Sequence, residues 1–440
     1  MTLETFEING YTFVRADQAP IPEWPCVITE RPQPSLTLKD NDLFLLTDTI
    51  GNVMALCGRD DQSASMGLFC NDTRYLSRLE LQIEGRSPIL LSSTADKGFM
   101  LSVLSTNPTL NDEIQAESIG IKRELVLNGG LFEDIEISNY GTTPAKFELS
   151  LSYDADFMDL FEIRGANRER RGQLLMLKSL IEDSRFRFAA GDEPQSSETE
   201  ASSTENLPEE TISTDAPLAQ NSDLVPPSEL ILAYKGIDGA LLESRIFFVN
   251  RLPDYIKGKT AIWQLDLRSH ETVKLGYRLQ MTNNGRSAST VSTPATLDQA
   301  KAAEMMEENN WRQQVTQIRS DKNTFNQIIE RAEQDIYLLR QSFSDKYTAL
   351  SAGVPWFSTL FGRDSIIAAS QVLPLDSAIA RETLKILAHY QGKEDDEWRD
   401  EQLGKILHEI RFGEMARCQE IPHTPYYGTV DATPLWLMLY

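Results

Sequence analysis

Three short segments near the end of the sequence combine carboxylates, arginines and aromatics ahead of apolar helical patterns. The first, VPWFSTLFGRDSIIAAS, holds Trp356, Phe357, Arg363 and Asp364. An adjacent Arg–Asp pair presents donors and acceptors together, which suits the vicinal hydroxyls of a sugar, while an aromatic can stack on the ring's apolar face. The plainer use is structural: Asp364 as a helix cap and Arg363 in a surface ion pair. The second segment, GKILHEIRFGEMA, carries His408, Glu409, Arg411 and Glu414. Glu409 and Arg411 could simply pair with each other on an exposed strand or turn. The third, IPHTPYYGTVDATPLW, places Tyr426, Tyr427 and then Asp431 at the mouth of an apolar helix. A lone Asp there is usually an N-cap.

Other chemistries lack their signals. His389, His408 and His423 do not have the spacing of a helical H-x-x-x-H site, so no metal is expected. No G-x-S-x-G, P-loop or dinucleotide fingerprint follows a strand, and no cofactor is expected.

The elements that must hold these residues change character along the chain. Residues from about 40 to 185 read as short half-alternating strands, including Asp42–Ile50, Ser77–Ile83, Ile89–Ser93, Phe132–Ser138 and Ala145–Tyr153. A second β stretch contains Leu230–Tyr234, Leu242–Val249 and Thr272–Gln280. Short strands broken by Asn, Asp and Gly turns predict antiparallel sheets packed face to face. Between the two stretches, residues 191–227 hold nine acidic side chains and no Lys, Arg or aromatic. Such a segment cannot bury enough apolar surface to offset its ordering entropy and is expected to be a disordered loop. An acidic docking segment is the functional alternative.

From Thr296 the texture turns helical. A linker helix is expected over 296–321, followed by an all-α region with helices over Thr324–Arg340, Ser365–Val372, Ser377–Tyr390 and from Asp431. The sequence stops inside an apolar run, LWLMLY, without a capping Gly or a polar tail. Either a short helix docks there or the chain is cut in mid-domain.

Composition narrows the function. The 440 residues carry 66 acidic and 42 basic side chains, a formal net charge of −24. That balance excludes nucleic acid or an anionic membrane as the main partner. No apolar run is long enough to span a bilayer and no signal-peptide pattern opens the chain. Four scattered cysteines, Cys26, Cys57, Cys70 and Cys418, suit reduced thiols in a cytoplasmic protein.

LFGRDS, GKILHEIRFGEMA and YYGTVDATPLW, in that order, resemble the bacterial and cyanobacterial amylo-α-1,6-glucosidase, or glycogen debranching enzyme, family. GLFCNDTRYLSRLEL and DADFMDLFEIRG resemble motifs of that family's N-terminal β domain. The resemblance implies an antiparallel β-sandwich over 1–295, the linker, and an (α/α)6 barrel of six-hairpin glycosidase type starting at 322. It implies inverting hydrolysis of α-1,6 branch points in glycogen or another branched α-glucan. The family's general acid falls on Asp431, and Arg363 and Asp364 would hold the outer hydroxyls of the glucose being cleaved. Trp356, Glu409, Arg411, Tyr426 and Tyr427 would line the site. A dipole-stabilised Asp is a poor proton donor, so desolvation by Tyr427 and Trp436, or a nearby carboxylate, is expected to raise its pKa.

The family's base carboxylate lies further downstream, and twelve helices with loops need well over ~200 residues. The segment after Asp321 is therefore expected to hold only the first part of the barrel, and the chain alone to be inactive. Two other readings remain open: a related (α/α)6 glucosidase acting on a different α-linked oligosaccharide, and a noncatalytic glucan-binding module.

Overall fold

The computed structural model describes residues 4–18, 24–27, 36–55, 65–110, 114–179, 228–344 and 347–440. The expected acidic loop at 191–227 lies outside the described residues.

Every strand pairing is antiparallel. The largest sheet runs from the hairpin Thr5–Ile8 and Tyr11–Arg15, through Gln173–Leu177, Glu229–Lys235, Leu241–Val249 and Thr272–Asn283. It continues through Leu131–Asn139, Ile119–Leu127 and Met100–Thr106 to Ile89–Thr94. A second sheet orders Tyr255–Lys257, Thr260–Leu267, Ala145–Asp154, Arg78–Ile83 and Val53–Met54. A smaller four-stranded sheet joins Leu36–Asp40, Leu43–Thr47, Gly67–Cys70 and Thr73–Leu76.

The two β stretches of the sequence are one domain. Leu131–Asn139 pairs with Thr272–Asn283, and Ala145–Asp154 with Thr260–Leu267, so the long interval between them is an insertion within the sheets. Alternation explains the packing. In Ile119–Leu127, Ile119, Ile121, Leu125 and Leu127 turn inward and join Leu81, Leu149, Trp263, Leu275 and Leu279 in one continuous core.

Helices follow. The first, α1 (Leu160–Ile163), is a single turn inside the β domain, closed by a capping box of Asp159 and Glu162. Then come α2 (Leu297–Gln314), α3 (Asn323–Leu339), α4 (Gly362–Gln371), α5 (Ser377–His389), α6 (Glu414–Arg417) and α7 (Ala432–Leu439). Among the described residues they close no barrel, and the region is not all-α. Arg340–Ser344 and Tyr347–Leu350 form a hairpin that packs on α5. This corrects the expectation of an all-α region after the linker.

Helix α2 is tied to the sandwich by buried polar groups. Asn128 Nδ2 donates to Glu304 Oε1 at 2.7 Å, and Gly129 N donates to Asp40 Oδ2 at 2.9 Å. Burial raises Glu304 to about 7 and pushes Asp40, facing it, well above the usual carboxylate range. Lys39, Glu307 and Tyr337 line the same cavity. The folded chain thus holds a proton that the unfolded chain releases. Stability is fully present below the ordinary Glu value of 4.5 and is lost as pH rises towards 7. Melting temperature should fall over that window by calorimetry, and Glu304→Gln, which needs no proton, should flatten the fall.

Cys70 and Cys418 are free, but Cys26 is disulfide-bonded, which corrects the expectation of uniformly reduced thiols. Isolated cysteines without C-x-x-C spacing carry no signal of their pairing. Among the described residues no helix is long and apolar enough to cross a membrane.

Candidate active site

Backbone pairing brings the three motifs together. Phe361 bridges to Glu409, and Glu409 bridges to Tyr426, so the segments lie side by side. His408 N donates to Tyr426 O at 2.7 Å, Tyr426 N to Glu409 O at 2.9 Å, and Gly362 N to His408 O at 2.9 Å. Gly362 makes this possible: a Cβ there would lie 2.0 Å from Leu407 O and 3.2 Å from the Cβ of Ala432. Its bare Cα lets the start of α4 sit against both the middle motif and the start of α7. Gly362→Ala should cost about 1–3 kcal/mol of stability through forced separation of these elements, measurable by urea denaturation.

The two helix starts place three of the expected residues together. Arg363 Nη2 is 3.5 Å from Asp364 Oδ2, and Arg363 Nη1 is 3.6 Å from Asp431 Oδ2. All three side chains are open to solvent, at 44%, 39% and 40% exposure. Neither Asp caps its helix. α4 follows Phe361 with Asp364 inside its first turn. Asp431 precedes α7 without a side-chain capping bond and instead accepts from Thr429 Oγ1 at 2.5 Å.

That hydroxyl, with Arg363 adding to it, holds Asp431 below the ordinary carboxylate range. The expected upward shift is absent because the expected desolvation is absent. Tyr427 is buried with its hydroxyl donating to Tyr390 O at 2.7 Å, and Trp436 donates to Leu384 O at 3.1 Å.

The remaining residues separate into a buried layer and the periphery. Glu409 and Arg411 pair at 2.7 Å as one reading had it, but in the interior and not on an exposed turn. Arg411 is 1% exposed and also binds Asp72 Oδ1 at 3.0 Å and Trp356 O at 3.0 Å, between the rings of Phe161 and Phe361. Asp72 comes from the β domain, on the turn of the GLFCNDTRYLSRLEL motif. It holds a left-handed φ of 61° and accepts from Phe412 N at 2.9 Å. A second β-domain acid, Asp159, accepts from Met415 N at 3.0 Å. Glu414 is a clamp on the β domain, bound by Arg168 Nη1, the Tyr234 hydroxyl and Ile237 N at 2.8 Å each. Trp356 packs against Phe44, Leu46, Phe69 and Leu160 of the β domain. The Tyr426 hydroxyl donates to Asp400 at 2.7 Å.

Sequence reasoning missed Asp72 and Thr429. The NDT turn was the available signal for Asp72, because a non-Gly residue in a tight left-handed turn marks a constrained position.

An antiparallel β domain is thus braced against a carboxylate–arginine cluster on two helix starts. Residues 38–278 match the family model described as the N-terminal domain of (some) glycogen debranching enzymes, and the chain belongs to that family. No curated protein matches the sequence. Two solved structures are similar at low identity. One is assigned as a kojibiose phosphorylase from human microbiome, with 10% identity, TM-score 0.46 and coverage of 88% of this chain and 49% of that one. The other is a bacterial glucoamylase complexed with acarbose, with 11% identity, TM-score 0.46 and coverage of 100% and 58%. The chain spans about half the length of these structures.

Proposed function

We propose that the protein takes part in glycogen debranching, as an inverting hydrolase of α-1,6-glucosidic branch points with Asp431 as general acid. The observation that carries the reading is the arginine shared by two carboxylates, Arg363 between Asp364 and Asp431. Asp364 is 39% exposed beside Arg363, so its carboxylate can accept from a sugar hydroxyl. An acidic protein surface suits a neutral polysaccharide, which offers no charge to steer.

Inversion needs a proton for the departing oxygen on one face and a base-activated water on the other. In the unliganded state Asp431 is an anion, so the proton must arrive as substrate binds. Glucose hydroxyls accepting from Arg363 weaken its pull on Asp431, and the sugar displaces water from its exposed side. Both effects raise the pKa. Activity as kcat/KM, which reports the free protein, should therefore rise towards acid pH. The falling limb of kcat should lie at higher pH than that of kcat/KM. Coincident limbs in the two profiles would remove the binding-coupled proton.

The family's base is matched by none of these three motifs, and the 440-residue chain alone is expected to release no glucose from a branched limit dextrin. A reducing-sugar assay with that chain tests this, and glucose above the uncatalysed background would overturn it.

A further inference from the structure

Arg164 follows α1 on the β domain, in the segment DADFMDLFEIRG, and its side chain is exposed. Its guanidinium carbon lies 5.9 Å from the ring centre of Phe161 and 5.8 Å from those of both Trp356 and Phe357. Two of those rings come from the helical part, so the group straddles the junction. Among the described residues the guanidinium has neither a hydrogen-bond nor an ion-pair partner. Attraction to ring faces acts on its charge and consumes none of its five N–H donors. An arginine held in place by three aromatics with its donors unspent is a preorganised acceptor-binding fork. Phe357 is 44% exposed and meets Phe361 edge-on at 5.8 Å. Phe361 in turn immediately precedes α4, two residues before Arg363. The platform therefore adjoins the Arg363–Asp364–Asp431 cluster through one ring contact.

We infer that Arg164 and Phe357 form a carbohydrate subsite that takes a glucose unit of an α-glucan chain, apart from the unit being cleaved. The sugar's apolar face stacks on Phe357 and its hydroxyls accept from Arg164. The β domain thus contributes a binding wall and not only a brace. This rests on the glucan reading of the site.

The test is calorimetric titration of the protein with maltohexaose, a linear α-1,4 probe without a branch to cleave. Wild type should bind, and Arg164→Ala and Phe357→Ala should each weaken binding about tenfold, as for loss of a charge-assisted hydrogen bond or a stacking face. Arg164→Lys, which keeps the charge but loses the fork, should bind between the two. Melting temperatures should match wild type, because both side chains are exposed; a variant that melts early but binds with unchanged affinity marks Arg164 as a brace and overturns the subsite. Absence of maltohexaose binding by wild type, or affinity equal to wild type in both alanine variants, also overturns it. Maltohexaose bound through this platform, with no hydrolysis of an α-1,6-branched dextrin by a protein that also carries the base carboxylate, would defeat the debranching assignment and leave the subsite standing. Hydrolysis with unaltered binding in the variants would defeat the subsite alone.

Discussion

Asp431→Asn is expected to lower hydrolysis of an α-1,6-branched dextrin about 10³-fold, within the range that loss of a general acid produces. The amide keeps the side chain's size and can still accept from Thr429, so the fold and the Arg363 side of the cluster should persist. Role is separated from position by the leaving group. A glucosyl oxygen must be protonated as it departs, whereas fluoride leaves with far less help. With α-glucosyl fluoride the same variant should retain most of its rate, losing no more than about tenfold. Equal losses on both substrates would move Asp431 from proton donor to another task, and an unchanged rate on the dextrin would remove it from the chemistry. The comparison belongs in the full-length protein, with both substrates assayed at a pH near the wild-type optimum.

Arg411→Ala should give the largest loss of stability, about 3–5 kcal/mol. The side chain is almost wholly buried between two carboxylates, Asp72 on the β domain and Glu409 in the middle motif. Removing it leaves both acids in the interior without their cation, and also frees the Trp356 carbonyl. A surface ion pair would cost only ~0–1 kcal/mol, so the size of the loss distinguishes the two placements. Chemical denaturation measures it directly. Because the surviving carboxylates can escape only by taking up protons, the variant should recover part of its stability as pH is lowered. Arg411→Ala combined with Asp72→Asn and Glu409→Gln should be more stable than the single variant, since the uncompensated charge is gone. A loss below about 1 kcal/mol would mean that the network is not buried as described.

Much of the architecture was legible in the sequence. Asp42–Ile50, Ala145–Tyr153 and Leu242–Val249 announce strands through alternation and bounding turns, and the structure has strands at Leu43–Thr47, Ala145–Asp154 and Leu241–Val249. The helices α3 and α5 follow from periodicity and lie within a residue of their expected bounds, while α2, expected over 296–321 from composition, ends at Gln314. The hairpin of Arg340–Ser344 and Tyr347–Leu350 lies inside a region expected to be all-α.

The sequence by itself determined which chemistry was available: an Arg–Asp pair, an Asp at a helix mouth, and no metal, phosphate or acyl-transfer motif. It also determined the order of β domain, linker helix and helical segment, because hydrophobic periods are local properties of the chain. Tertiary structure alone decided what each polar group does. The same Glu409–Arg411 spacing fits an exposed pair or a buried one, and only Asp72, more than three hundred residues earlier, makes burial tolerable. The two helix starts meet because Gly362 lets backbone approach backbone. Asp431 stays exposed and ionised because Tyr427 and Trp436, its near neighbours in sequence, turn to Tyr390 and Leu384 instead. Burial and charge pairing depend on distances between remote segments, which no local pattern encodes.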